Sequence, residues 1–146
     1  MLFSLTDVPK IAGEILSYVT ALPAVVTLTG EVGAGKTTLA QEIARQLGVT
    51  DTVTSPTFTI AQIYTTKDPR ITTLVHIDAY RLNGKEDAAR ARIDSLIATE
   101  GSLSLIEWSG NIQALIPSTA LNVTLHHTTD EDKRIIHIKS GSHTVI

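Results

Sequence analysis

Val8, Ile11, Ala12, Ile15, Leu16 and Val19 recur at intervals of three and four, tracing one face of a helix. Thr6 or Asp7 is placed to cap that helix, and Pro9 fits only its first turn, which fixes where it starts. Ala24-Val25-Val26-Thr27-Leu28-Thr29 is a short β-branched run, the signature of a buried strand. Leu39, Ile43 and Leu47 return to helical spacing, and Gly48 ends that stretch. Residues 57–64 and 72–78 are β-rich and separated by Thr65-Thr66-Lys67-Asp68-Pro69-Arg70, predicting an antiparallel pair. Residues 86–99 predict a helix with Ile93, Leu96 and Ile97 inward. Residues 102–108 predict a strand, with Trp108 on the face opposite Glu107 and packed in the core. A short helix over 111–116 should stop at Pro117. Runs over 121–127 and 134–139 predict a terminal hairpin across Asp130-Glu131-Asp132. Strands alternating with helices in the first two-thirds predict an α/β fold, with a mixed but mostly parallel central sheet flanked by helices.

Length and composition narrow the class. The 146 residues suit one domain, 1–146, and 42% apolar with 18% charged residues is an ordinary globular composition. Twelve basic and 15 acidic residues leave a formal charge of −3, which argues against autonomous, non-specific nucleic-acid binding. The absence of cysteine excludes disulfides, zinc thiolates and cysteine nucleophiles. No targeting segment or membrane span is expected: the apolar run near Ala21 to Leu28 is too short and contains Pro23. A cytoplasmic protein is the resulting expectation.

The chemistry is concentrated in Gly30-Glu31-Val32-Gly33-Ala34-Gly35-Lys36-Thr37, a complete G-x-x-x-x-G-K-[ST] phosphate loop. Its glycines let backbone amides wrap a phosphate chain. Lys36 can reach the β- and γ-phosphates, and the Thr37 hydroxyl suits Mg²⁺. The run before it reads as a strand and the stretch after it as a helix, so the motif has its required context. Such a site also needs a carboxylate at the end of a neighbouring strand. Leu74-Val75-His76-Ile77-Asp78 and Leu103-Ser104-Leu105-Ile106-Glu107 each supply one. One would hold the metal and the other would orient or deprotonate water, and spacing alone does not assign which.

Other residues read less sharply. Ser55-Pro56-Thr57 is either a turn or a segment sensing the γ-phosphate, and spacing favours the turn. Arg81 would stabilise phosphate charge or form a surface ion pair. His126, His127, His137 and His143 lack the convergent spacing of a metal site. Ser4 and Thr6 are the polar candidates near an adenine. Two rival functions share the loop. A small-molecule kinase would need a lid with several arginines, and only Arg90 and Arg92 cluster near one. A GTP-dependent switch would need an Asn-Lys-x-Asp motif, which the sequence lacks.

Four ordered segments carry a resemblance: the phosphate loop through Thr38; Ser55-Pro56-Thr57-Phe58-Thr59; His76-Ile77-Asp78-Ala79-Tyr80-Arg81-Leu82; and Ile106-Glu107-Trp108. Together they resemble the TsaE family of tRNA threonylcarbamoyladenosine biosynthesis. The resemblance implies ATP bound by Gly33, Ala34, Gly35, Lys36, Thr37 and Thr38, with Mg²⁺ held by Thr37 and Glu107. It places Asp78 near the γ-phosphate, so that Lys36, Asp78 and Glu107 form the hydrolytic set. It also implies work with TsaB-like and TsaD-like proteins, which modify adenosine 37 of tRNAs reading ANN codons. TsaD carries the transfer chemistry, and tRNA is met only through the assembly. The chain departs from the family at Ala79, where leucine is usual. It departs again over 89–96, where a glycine and an aromatic are common.

Overall fold

In the computed structural model of the chain, residues 1–56 and 59–146 are described. Thr57 and Phe58, which include part of the candidate sensing segment, lie outside them. The elements are β1 (Leu2–Ser4), a 3-10 turn (Leu5–Asp7), α1 (Val8–Tyr18), β2 (Ala24–Gly30), α2 (Lys36–Gln46), β3 (Ala61–Thr65) and β4 (Thr73–Asp78). They continue with α3 (Gly84–Arg90), α4 (Ile93–Ile97), β5 (Ser102–Glu107), a 3-10 segment (Ser109–Leu115), β6 (Leu121–His127), β7 (Lys133–Ser140) and β8 (His143–Thr144).

Among the described residues the strands form one sheet in the order β1-β7-β6-β2-β5-β4-β3, with β8 on β7. Its centre is parallel: β2 pairs with both β5 and β6, and β5 pairs with β4. Its margins are antiparallel, through β3 on β4, β7 on β6 and β1 on β7. The expected mixed, mostly parallel centre is therefore present, and Thr27 Oγ1 donates to its register partner Asn122 Oδ1 at 2.8 Å across the β2–β6 junction.

Alternation along the strands divides the core. Val26, Leu28, Leu103 and Leu105 face one side and pack with Ile11 and Ile15 of α1 and Leu39 and Ile43 of α2. Val25, Val75, Ile77 and Ile106 face the other, against Ala88 of α3, Ile93 of α4 and Ile112. Fully burying one such aliphatic side chain is worth roughly 1.5–3 kcal/mol, so both layers contribute heavily to holding the sheet. No helix among the described residues is long and apolar enough to cross a membrane.

The short helix expected over 111–116 is the 3-10 segment Ser109–Leu115, and three larger differences from expectation have local causes. The strand expected from residue 57 begins at Ala61, because Ile60 takes a positive φ of 64° just before it. The helix expected over 86–99 is two short helices separated at Arg92, whose left-handed conformation (φ 55°, ψ 38°) breaks the hydrogen-bond ladder. Of its three expected core residues, Ile93 is fully buried, while Leu96 and Ile97 pack only partly buried against that layer. Third, the strand expected through Trp108 ends at Glu107, because Trp108 is itself left-handed (φ 58°, ψ 37°).

Candidate nucleotide-binding site

The phosphate loop joins the end of β2 to the start of α2, as the flanking patterns predict. Gly30 pairs with Leu125 of β6 so closely that a Cβ there would meet the Leu125 carbonyl oxygen at 2.5 Å. Gly35 precedes the helix at φ 106°, a conformation other residues rarely adopt. Lys36, Thr37 and Thr38 then occupy the first turn of α2, where backbone N–H groups have no partner within the helix. The Lys36 ammonium donates to Gly30 O at 2.6 Å and Glu31 O at 2.9 Å, so it arches back over its own loop. His127 braces the outer turn, with Nε2 3.1 Å from Val32 O.

Glu107 and Asp78 are register partners on adjacent parallel strands. Their side chains therefore leave the same sheet face, the face that carries α2. Val32, Gly33, Gly35, Lys36, Thr37, Thr38, Ser55, Asp78, Tyr80, Glu107 and Trp108 line one open cleft. Loop, lysine, hydroxyls and both carboxylates are thus gathered in one place. Of the expected nucleotide-binding residues, Ala34 is buried and does not line this cleft.

The two acids differ in environment. Asp78 Oδ1 accepts a hydrogen bond from the Tyr80 amide at 2.9 Å. Glu107 is 3% exposed, and its Oε1 has no hydrogen-bond partner among the described residues. Ser55 Oγ lies 3.4 Å from the other oxygen, Oε2. Burial pushes the Glu107 carboxyl pKa up, and the neighbouring Asp78 charge adds to the effect against the opposing pull of Lys36 and Ser55.

His76 precedes Asp78 by two residues on β4 and so shares its face. It is fully buried, with Nε2 4.0 Å from Glu107 Oε1. Burial lowers its pKa to about 4, outweighing the Asp78 charge and the Thr54 backbone. The imidazole is neutral at physiological pH.

Trp108 does not enter the core. Its left-handed backbone turns the indole out of the sheet, leaving it 44% exposed and edge-on to Tyr80, with ring centroids 4.9 Å apart. Such a conformation costs about 1–3 kcal/mol, a strain that accumulates at ligand sites. Asn111 Nδ2 fixes the adjoining turn by donating to Ala79 O at 3.0 Å and Tyr80 O at 3.1 Å. Arg81 is exposed on that turn.

A second cavity opens on the other side of the loop, beside Gly33, Ala34, Gly35 and Thr38. Phe3, Ser4, Leu5 and Val8 wall it on one side, and Leu125, Arg134 and Ile136 on the other. Sequence patterns pointed only to Ser4 and Thr6 here. Ser4 lines the cavity, and its hydroxyl lies 2.8 Å from Thr6 Oγ1. Phe3 carries no sequence signal because β1 is three residues long, too short for a period, whereas Leu125, Arg134 and Ile136 lie on the predicted hairpin and only their approach to the loop is not encoded locally.

Comparison with known proteins adds a lineage to this geometry. A model of the family described as threonylcarbamoyl adenosine biosynthesis protein TsaE matches residues 3–136. The tRNA threonylcarbamoyladenosine biosynthesis protein TsaE of Rickettsia bellii (strain RML369-C) is 37% identical over 115 residues, covering 78% of this chain and 76% of the relative. The protein of the same name from Bacillus subtilis (strain 168) is 32% identical over 118 residues, covering 81% of this chain and 71% of the relative. Among solved structures, that titled crystal structure of Bacillus subtilus YdiB superposes with a TM-score of 0.74 at 27% identity, covering 97% of this chain and 86% of its own. The matched region includes the loop, Asp78 and Glu107.

Proposed function

The chain belongs to the TsaE family of tRNA threonylcarbamoyladenosine biosynthesis, and from that premise we propose that it is a cytoplasmic, Mg²⁺-dependent ATPase serving the tRNA-modifying assembly. The whole chain, 1–146, acts as one phosphate-loop domain. The observation that carries the reading is the pairing of Asp78 and Glu107 in register, facing the cleft that Lys36 and Thr37 line.

Backbone amides of Gly33, Gly35 and Lys36 cradle the phosphates at the positive end of α2. Lys36 exchanges its two loop carbonyls for phosphate oxygens, a charge-assisted contact that stabilises the transferring γ-phosphoryl group. The adenine enters the second cavity beside the loop, which combines apolar Phe3, Leu125 and Ile136 with charged Glu131, Asp132 and Arg134.

Thr37 and Glu107 fit a magnesium ion. Their donors are hydroxyl and carboxylate oxygens, which suit a hard cation, and Glu107 Oε2 lies on the cleft side, beside Ser55. When bound, the ion would neutralise phosphate charge. Asp78, anchored by the Tyr80 amide, orients the attacking water and accepts its proton. No arginine lines the cleft among the described residues. The isolated chain therefore hydrolyses ATP slowly, and a TsaB–TsaD-like pair completes the site. Contact with tRNA is made through that assembly.

The test is reconstituted tRNA modification and ATP turnover with and without the partners. Lys36→Ala should lose nucleotide affinity. Asp78→Ala should bind ATP yet turn over about 10²-fold or more slowly. Partner-independent turnover, or normal hydrolysis by Asp78→Ala, refutes the corresponding part of the proposal. A phosphorylated metabolite in place of free phosphate would instead reveal a kinase, and preference for GTP over ATP a guanine-nucleotide switch.

A further inference from the structure

Among the buried titratable residues of the described chain, the hydrolytic set leaves His76 unused. His76 is fully enclosed, and neither ring nitrogen meets full hydrogen-bond geometry with a partner among the described residues, although the Thr54 backbone lies near the ring. The nearest carboxylate oxygen, Glu107 Oε1, is buried and equally without a partner. The two orphans face each other, Nε2 to Oε1, at 4.0 Å. Buried polar groups are nearly always satisfied, and leaving a single one unpaired costs about 1–3 kcal/mol. Two facing orphans across a gap about 1 Å too long for a hydrogen bond indicate a contact made in another state of the site.

The strands constrain which state. Asp78 and Glu107 are register partners, and so are the residues two positions earlier, His76 and Leu105. His76 therefore stands behind the acidic pair, deeper along the same face. It cannot reach the cleft, but Glu107 can reach back to it through three rotatable side-chain bonds. The carboxylate's other oxygen, Oε2, lies on the Ser55 side, where the cleft is.

We propose that His76 is a positioning residue for Glu107: its Nε2–H holds the inner oxygen Oε1, so that Oε2 is presented to the metal in a fixed orientation. This rests on the reading of Glu107 as a magnesium ligand. A partner that holds the far oxygen of a ligating carboxylate fixes its rotamer and tunes its basicity. Removing such partners typically costs 10–100-fold in metal affinity.

The test uses Mn²⁺ as the probe, titrated by electron paramagnetic resonance into the full chain loaded with ADP. Calorimetry of ADP binding in EDTA serves as the metal-free control. His76→Leu removes the donor, His76→Asn carries an amide too short to reach Oε1, and His76→Gln places an amide nitrogen near the position of Nε2. His76→Leu and His76→Asn should weaken Mn²⁺ binding about 10-fold or more, with ADP affinity in EDTA unchanged, whereas His76→Gln should stay within about threefold of wild type. In turnover, kcat should fall with the KM for ATP unchanged. The Asn and Gln pair carries the test if the leucine variant does not fold.

Equal Mn²⁺ affinity in His76→Asn and wild type, or equal losses in Asn and Gln variants, overturns the positioning role. Glu107→Gln separates the layers. If that variant binds Mn²⁺ normally, the metal-ligand reading falls and the proposal with it. If it loses Mn²⁺ while His76→Asn does not, only the role of His76 is wrong.

Discussion

Replacing Glu107 with glutamine should make the nucleotide-free protein more stable while destroying its function. Glu107 is 3% exposed, Oε1 has no partner among the described residues, and the Asp78 carboxylate sits beside it in register. A buried unsatisfied polar group costs about 1–3 kcal/mol, and a charged one more. Glutamine keeps the shape and the buried polar atom but removes the buried charge and its repulsion with Asp78, so about 1–3 kcal/mol should be recovered. For a chain of this size that raises Tm by about 3–10 °C. The sign is diagnostic, because most buried substitutions destabilise by about 0.5–3 kcal/mol. The pH dependence tests the cause. Burial, reinforced by Asp78, raises the folded-state pKa of Glu107 above its ordinary value of 4.5. Below that value the group is neutral in both folded and unfolded chains, and the variant should hold no advantage. As pH rises through the folded-state pKa the wild type must bury a charge, and the advantage should grow and then level off. Thermal melts followed by circular dichroism at pH 8 and pH 4.5, without nucleotide, measure both quantities. A variant that melts at or below wild type at pH 8, or that keeps the same advantage at pH 4.5, refutes this account.

Three further outcomes follow from other parts of the molecule. His76 is held neutral with a pKa of about 4 against 6.5 for a free histidine, so the unfolded chain binds a proton between those values that the folded chain does not. Stability should fall by about 3 kcal/mol as pH drops from 6.5 toward 4, and His76→Leu should flatten that slope in urea titrations. Gly30→Ala would press a Cβ to 2.5 Å from the Leu125 carbonyl at a φ of 153°. A loss of about 2–5 kcal/mol is expected by chemical denaturation, and a change below about 1 kcal/mol would show that β2 and β6 separate there freely. Trp108 is the chain's single tryptophan and lines the cleft. Adding ATP should change its emission, with half-saturation matching the calorimetric Kd; an unresponsive signal would place the triphosphate elsewhere.

Much of this architecture is legible in the sequence, and the misses have physical causes. The central strands announce themselves through β-branched runs. The loop is unmistakable because its glycine spacing is a steric requirement rather than a preference. The break at Arg92 is hidden, since Ala-Arg-Ala-Arg has good helix propensity throughout and only tertiary context imposes a left-handed residue. Trp108 misleads for a similar reason. Alternation continues it into the core, whereas the strand ends one residue earlier and the indole turns out beside Tyr80. β1 and β8, of three and two residues, are too short to carry a period. Candidate acids can be read from strand ends, but not their adjacency. That depends on β5 inserting between β2 and β4, a pairing that no local spacing encodes. His76 was within reach, because the i, i+2 rule already sets it on the face of Asp78.

The position of β2 between β5 and β6 also bears on how the chain matures during synthesis. Residues 24–37, which carry the phosphate loop, are made before either neighbour of β2, residues 102–107 and 121–127. Until then the growing chain holds an apolar strand with two open edges and a loop with one of its two acids missing. Closing both junctions requires contacts across roughly 80–100 residues, the kind of long-range pairing that slows folding and exposes edges to aggregation. On the proposed function, nucleotide capture would be deferred until β5 and β6 are made: the ligand would bind the assembled sheet rather than its fragments, and would stabilise it as a whole.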